Sequence, residues 1–463
     1  MNYKKQSISG VKSLIRGLEG LLEVFILTGL YYIFWSTGYE PPLFLSSFLG
    51  YGHIILIGIY GVLTLVLLSA FDGLLFGYLK ISDMLLSQWL CMLIVNFITY
   101  WQLCLIANDF LSPMPMLKLM GAGVIAVFAM VLFYNWVYHK IYAPKKMVMV
   151  LGQRDAISLK FKMETRPDKY YIHKIVSADE GVESICRQIS DYEAVIINDV
   201  PAQIRNDILK FCYQHQIRTY VTPKLSDIIV RGATDITLFD TPLLLVKGTG
   251  LTPMQRFFKR LLDLALCLPA MIVAAPIMLI VALAIKLEDG GPVFYKQARA
   301  TLTGEVFNIL KFRSMIVDAE KEGHSIPATD RDPRITKVGN IIRPCRIDEL
   351  PQLLNIIKGD MSLVGPRPER VEHMEKYGNE IPEFIFRTKV KGGLTGYAQI
   401  YGKYNTSAYD KLRLDLMYIE NYSFIQDIKL ILMTIRILFK KESTEGFATQ
   451  EEKDKEEAIP GSK

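Results

Sequence analysis

Four apolar runs dominate the first third of the chain, at roughly residues 18–36, 50–71, 84–107 and 116–141. Each is near the ~20 residues a helix needs to cross a bilayer, so each predicts a span. From residue 146 to 247 the pattern changes to short β-rich runs separated by polar stretches of helical spacing. Segments 147–150, 170–176, 194–197, 219–221 and 243–246 read as strands. Their alternation with helices predicts a parallel, Rossmann-like sheet. A fifth apolar run follows at residues 261–285, with Pro269 and Pro276 inside it. As a straight helix its 25 residues would rise ~37 Å, more than the ~30 Å hydrocarbon core.

Charges in the connections give these runs a direction. Lys4, Lys5, Lys12 and Arg16 precede the first run, Lys80 lies in the second connection, and Lys140, Lys145 and Lys146 follow the fourth. The other two connections lack Lys and Arg. Positive charge stays on the cytoplasmic side, which places the N-terminus and the end of the four-span block there. Arg256, Lys259 and Arg260 before the fifth run, and Lys286, Lys296 and Arg299 after it, give both of its ends the same signature. A proline removes an amide donor and crowds the carbonyl four residues back. Pro276 is therefore the expected break of a re-entrant hairpin that enters the membrane and returns; a kinked fifth span is the alternative.

Composition narrows the partners. Apolar residues make up 51% of the sequence, which suits a membrane protein, and the net charge of +6 suits anionic lipid or phosphate better than nucleic acid. The six cysteines form no Cys-x-x-Cys and lack a histidine at metal spacing, so they read as reduced and structural. No small-residue cleavage site follows the first apolar run, which is expected to remain as a span. The first turn of the α/β region, Leu-Gly-Gln-Arg-Asp-Ala at 151–156, lacks the three-glycine fingerprint of dinucleotide binding. Tyr170 and Lys174 have the Tyr-x-x-x-Lys spacing of short-chain dehydrogenases, but that dyad needs a helix and the segment reads as a strand.

Chemistry concentrates after residue 290. Four motifs occur in order: Gly-Pro-Val-Phe-Tyr-Lys-Gln at 291–297, Lys-Phe-Arg-Ser-Met at 311–315, Ile-Asp-Glu-Leu-Pro-Gln at 347–352, and Lys-Gly-Asp-Met-Ser-Leu-Val-Gly-Pro-Arg-Pro at 358–368. Alone, the acidic pair Asp348-Glu349 would read as a common helix-start feature, since carboxylates favour the positive end of the helix dipole. Arg367 between two prolines has a restricted backbone suited to presenting a guanidinium to phosphate. Lys311, Arg313, Arg343 and Arg346 are further cations that either bind phosphate, pair with nearby carboxylates or face lipid headgroups. His324 and His373 lie outside the motifs.

Taken together, residues 256 to about 440 resemble the bacterial sugar transferases, the monotopic phosphoglycosyl transferases. That resemblance implies transfer of hexose-1-phosphate, glucose or galactose favoured, from a UDP-sugar to undecaprenyl phosphate, initiating exopolysaccharide, capsule or O-antigen assembly. It assigns Asp348 as the nucleophile of a covalent aspartyl intermediate. Asp348 and Glu349 would hold Mg²⁺, chiefly Glu349, while Lys311, Arg313, Arg343 and Arg367 would bind substrate. The expected architecture is a membrane protein with a four-helix transmembrane block (1–143), a Rossmann-like α/β domain (144–250), a re-entrant membrane helix (251–290), an α-rich monotopic catalytic domain (291–440) and a disordered tail (441–463). The implied location is the bacterial inner membrane, with the catalytic domain on the cytoplasmic face and membrane lipid as a partner. A structural or dimerising role is expected of the α/β domain, with a homodimer as the assembly. A membrane scaffold or sensor whose α/β domain binds a nucleotide is the second reading, and a processive glycosyltransferase releasing UDP the third.

Two positions depart from the family pattern. Ala275 precedes Pro276 where a serine is common, removing a hydroxyl that would help satisfy the freed backbone. Gly392 stands where proline is usual, in Lys-Gly-Gly-Leu-Thr-Gly at 391–396, and is expected to loosen that loop. Segments 409–421 and 424–440 have helical apolar spacing beside Lys and Arg, as interfacial helices do, or as helices packed on the catalytic core.

Overall fold

The four N-terminal apolar runs fold as helices α1 (Asn2–Gly38), α2 (Gly52–Ala70), α3 (Ile81–Ala107) and α4 (Met114–Ile141). Where water is absent a helix satisfies its own backbone, and aromatic and polar side chains link neighbours. Tyr31 of α1 stacks on Tyr60 of α2 with ring centroids 4.2 Å apart, and the Tyr60 hydroxyl donates to Asn96 Oδ1 of α3 at 3.0 Å. The computed structural model describes residues 2–39, 51–77, 79–141, 144–152, 156–317, 319, 332–402 and 406–438. His324 and the C-terminal tail lie outside the described residues. The chain divides into two compact units, Met1–Thr222 and Pro223–Lys463.

The first unit continues through β1 (Lys145–Leu151), α5 (Ala156–Glu164), β2 (Tyr170–Ser177), α6 (Val182–Ile189), β3 (Ala194–Asn198), α7 (Ala202–Gln214) and β4 (Arg218–Val221). The strands form one parallel sheet of order β2-β1-β3-β4. Alternation along each strand sends Val148, Val150, Val195 and Ile197 to one face, against Ile185, Ile189 and Ile208, and Met147, Met149, Ala194 and Ile196 to the other. A sheet buried on both faces needs apolar residues at consecutive positions, as β3 has. A Cβ at Gly152 would lie 2.0 Å from the Asp199 carbonyl oxygen, so the turn after β1 packs directly on the turn after β3. Tyr170 and Lys174 both lie on β2, a strand, as the spacing argument required.

The fifth expected strand is a correction. Residues 243–245 belong to β6 (Thr241–Leu245), which pairs antiparallel with β5 (Thr234–Leu238) in a separate hairpin of the second unit. Helix α8 (Leu225–Arg231) also belongs there, its Leu225 and Ile228 packing with Phe384, Leu412 and Leu416. The sheet therefore ends at Val221, and residues 223–250 belong to the second unit. A β-rich run is legible from composition, whereas its partner is not.

Helix α9 (Pro253–Asp289) opens with a capping box, in which Thr252 Oγ1 accepts from Gln255 N and the Gln255 side chain accepts from Thr252 N. The helix continues through Pro269 and Pro276, so neither proline ends it. Its buried residues, Lys259, Asp263, Cys267, Ala274, Val281 and Ile285, recur at intervals of four and seven and so form one stripe. The rest of the surface is apolar and exposed, Ile272 at 76% and Leu279 at 72% among it, which suits lipid rather than water. Among the described residues five helices, α9 included, are long and apolar enough to cross a membrane, and the protein is membrane-associated. Both ends of α9 are nonetheless tied to the same unit. Lys259 Nζ donates to Asp427 Oδ2 at 2.6 Å near one end, and at the other Arg313 pairs with Asp289 while Glu288 Oε1 accepts from Lys337 N at 2.7 Å.

The remaining elements are β7 (Phe294–Ala300), β8 (Val306–Phe312), α10 (Lys337–Ile342), α11 (Gln352–Lys358), β9 (Ser362–Val364), α12 (Val371–Glu380), β10 (Gly393–Thr395), α13 (Tyr397–Tyr401), α14 (Ala408–Glu420) and α15 (Phe424–Leu438). Leu412, Leu416 and Tyr418 of α14 and Leu430 of α15 lie in the core of this unit, so both helices pack on it. On α15, Phe424 and Ile425 stay exposed beside Phe258 of α9, whose ring meets that of Phe424 at 6.5 Å.

Candidate active site

β7 and β8 form an antiparallel ribbon in which Tyr295 stands opposite Lys311. After α10 the chain passes through Arg346, which has a left-handed backbone (φ 54°, ψ 22°), into a single 3-10 turn at Ile347–Glu349. A non-glycine residue in that conformation is strained by about 1 kcal/mol, and such strain collects at functional sites. Pro351 then leads into α11, which Asn355 fastens to β8: its Oδ1 accepts from Leu310 N at 2.9 Å and its Nδ2 donates to the Asn308 carbonyl at 2.9 Å. Leu353 and Ile356 of the same helix pack on Ile309 of β8 and Cys267 of α9. The acidic turn is thereby registered against Lys311.

Glu349 Oε1 accepts from Lys311 Nζ at 2.7 Å and from Arg367 Nη2 at 2.8 Å. Arg367 reaches it from the loop after β9, which pairs in parallel with β10 through Ser362–Gly393 and Val364–Thr395. Gly365 N donates to the Thr395 carbonyl at 2.8 Å and Gly393 N to the Pro366 carbonyl at 2.9 Å, closing that loop at both sides. The neighbouring carboxylate differs. Among the described residues no cationic side chain lies within ion-pair distance of Asp348, although the charges of Lys311 and Arg343 act on it. Burial pushes the Asp348 carboxyl upward, and the Glu349 charge adds to this against Lys311 and Arg343. Burial also opposes ionisation of Glu349, but Arg367 and Lys311 outweigh it and hold that carboxyl well below the usual range. Lys311 is itself lowered by burial, against the attraction of Glu349.

Two of the expected substrate residues, Lys311 and Arg367, thus meet at the acidic pair, with Arg343 a step removed: it donates Nη1 to Ser314 Oγ at 3.4 Å. Arg313 does not join them directly. Only 6% exposed, it pairs through both terminal nitrogens with Asp289 at the end of α9, which makes it a link between helix and ribbon. His373 lies 3.8 Å from Glu369. The loosening expected at Gly392 is offset, because its amide, which a proline would lack, donates to Thr301 Oγ1 at 3.1 Å. Sequence reasoning misses Asn355, Arg299 and Arg387, all far along the chain from the groups they hold.

Among the described residues no three His, Cys, Asp or Glu side chains stand together as a metal site. Asp348 and Glu349 supply two hard-oxygen donors, which fits Mg²⁺ when phosphate and water oxygens complete its shell. The constellation, a carboxylate bound by Lys311 and Arg367 beside one with no ion-paired cation among the described residues, is suited to binding phosphate and to attack on phosphorus.

Comparison with known proteins agrees. The family described as Bacterial sugar transferase matches residues 254–441. The chain is 41% identical over 260 residues to the UDP-N-acetylgalactosamine-undecaprenyl-phosphate N-acetylgalactosaminephosphotransferase of Aeromonas hydrophila, covering 54% of this chain and 60% of that relative. It is 39% identical over 211 residues to the UDP-glucose:undecaprenyl-phosphate glucose-1-phosphate transferase of Escherichia coli (strain K12), covering 44% of each. With the like-named enzyme of Caulobacter vibrioides it shares 42% identity over 183 residues, 38% of this chain and 68% of that one. The chain thus spans about half the length of the first two relatives, while the matched segment carries every residue of the site. On that match and that site together, the chain belongs to the bacterial sugar transferase family.

Proposed function

We propose that the protein transfers hexose-1-phosphate from a UDP-sugar to undecaprenyl phosphate, at the cytoplasmic face of the bacterial inner membrane. The observation that carries this reading is the division of labour within the acidic pair. Glu349 is held by Lys311 and Arg367, which lowers its nucleophilicity, while Asp348 beside it has, among the described residues, no bonded cation and an ionised form disfavoured by burial. An Asp348 oxygen attacks the sugar-bearing phosphorus, forming an acyl phosphate as the bond to the bridging oxygen of UMP breaks and UMP departs with that electron pair. An oxygen of undecaprenyl phosphate then attacks the same phosphorus, the bond to Asp348 breaks, and the carboxylate is regenerated. Arg367 and Lys311 spread the phosphate charge in both steps. Mg²⁺, held by Glu349 and Asp348, would supply further neutralisation of phosphate charge.

The apolar face of α9, tied at both ends to one folded unit, supports a helix that brings this chemistry to the depth of a lipid phosphate, so that a soluble donor and a lipid acceptor meet. Glucose or galactose is the expected sugar on the four-span architecture, and the N-acetylgalactosamine named for the Aeromonas relative belongs in the same panel. The test is nucleotide release from UDP-hexoses by purified protein without lipid, with and without a chelator. UMP is expected, about one equivalent per active site, dependent on divalent cation and absent in Asp348→Asn. Release of UDP, or unchanged release by Asp348→Asn, would overturn the reading.

A further inference from the structure

Arg387, on the 3-10 segment Pro382–Lys389, is 4% exposed and touches three acceptors. Its Nη2 donates to the Arg367 carbonyl at 3.0 Å and lies 2.7 Å from Asp415 Oδ2, and its Nη1 lies 3.2 Å from Glu369 Oε1. Asp415 comes from α14, and Glu369 follows the second proline of the Gly-Pro-Arg-Pro loop. From the other side Arg299 of β7 donates Nη1 to the Pro368 carbonyl at 3.0 Å, with its remaining nitrogens held by Gln297 Oε1 at 3.0 and 2.6 Å. Ala300 N donates to the Glu369 carbonyl at 2.9 Å. Three successive loop carbonyls are therefore fixed, two of them by guanidinium groups. A buried ion triad is a weak stabiliser, because desolvation consumes most of its Coulombic gain, so stability alone gives little reason for it. Geometry does: one planar guanidinium holds its two terminal nitrogens within ion-pair distance of two carboxylates while Nη2 donates to the loop carbonyl.

Resting on the phosphoryl-transfer reading, we infer that Arg387 is a positioning residue. With Asp415 and Glu369 it sets the backbone of the Gly-Pro-Arg-Pro loop so that the Arg367 guanidinium reaches Glu349 and the phosphate beside Asp348. Arg387→Lys keeps the charge and loses the fork. In the full-length protein this variant is expected to lower kcat for UMP release at least about tenfold while KM for the UDP-sugar moves less than about threefold. In Arg367→Lys the same change is expected to add little, since the group it aims is already gone. Labelling of Arg367 by phenylglyoxal, read by peptide mass, is expected to be faster in Arg387→Lys, a readout that needs no turnover. Wild-type protein that releases no nucleotide would sink the functional reading, while the labelling comparison would still decide the role of Arg387. Losses that multiply in the double variant, or unchanged labelling, would overturn the positioning role. Should Arg387→Lys fail to fold, Glu369→Gln removes one arm without a change of volume and is expected to shift kcat and labelling in the same directions.

Discussion

Adjacent carboxylates in one short turn differ because their neighbours differ. Glu349 shares one oxygen between Lys311 and Arg367, whose side chains are 20% and 39% exposed, so the pairing is only partly screened by water. Glu349→Gln leaves two cations facing each other without the charge between them. We expect a loss of nucleotide release of about a hundredfold or more. The cost in unfolding free energy should be smaller, about 1–3 kcal/mol, because Arg367 can turn to solvent. Steady-state turnover and denaturant melts check the two figures; a variant destabilised without loss of turnover would show the pairing to be structural. The acidic pair was legible in the sequence through its motif, but the choice of partner was not. Lys311 and Arg313 stand two residues apart, yet one meets Glu349 and the other closes on Asp289.

Among the elements, α9 shows most directly how packing and membrane chemistry share one helix. Its stripe of buried residues recurs with near-helical periodicity, yet in the sequence it is hidden by a surround that is equally apolar. Lys259 and Asp263 are the polar members of that stripe. Lys259 donates to Asp427 at 2.6 Å and to the Tyr418 hydroxyl at 3.0 Å, while Asp263 Oδ1 accepts from Ser362 Oγ at 3.0 Å and Leu363 N at 2.9 Å. These bonds join the start of α9 to β9, α14 and α15. Lys259→Met strands Asp427 without its cation in a buried site, and a loss of about 3–5 kcal/mol is expected in chemical unfolding. Recovery of most of that stability by adding Asp427→Asn would confirm that the unpaired charge is the cause; equal loss in both would refute it. The prolines were legible in the sequence, and the helix runs through both of them, since a missing donor weakens a helix without necessarily ending it.

At the scale of the whole molecule, charge burial sets the acid stability and an exposed thiol reports membrane sidedness. Glu349 and Glu369 are both held below the ordinary glutamate value of 4.5, burial opposing ionisation and the surrounding cations prevailing. Below 4.5 the unfolded chain binds more protons than the fold, so the stability these groups contribute is present above that pH and is lost as pH falls. Burial pushes Asp415 up to about 6, against the attraction of Arg387, and its sign is opposite: protonation of the fold from about pH 6 downward adds stability. Melting temperature is expected to peak between these limits, and Asp415→Asn to flatten the side above the peak. Sidedness has a native probe in Cys345, which is exposed and three residues from Asp348, whereas Cys91, Cys104, Cys212 and Cys267 are buried. With Cys186 changed to serine, a membrane-impermeant maleimide is expected to label Cys345 only after cells are opened. Labelling in intact cells would place the site outside and end the functional proposal.

Local physics was enough for much of this protein. Run lengths announced the membrane helices, alternation the parallel sheet, and ordered motifs the acidic pair, because periodicity and turn chemistry act over a few residues. What the chain does at a distance was settled only by folding. The strand expected at 243–246 became half of a hairpin, Pro276 stayed within its helix, and Arg387 came beneath a loop twenty residues away. Pairing, packing and charge partners depend on which segments meet, and that choice belongs to the tertiary structure.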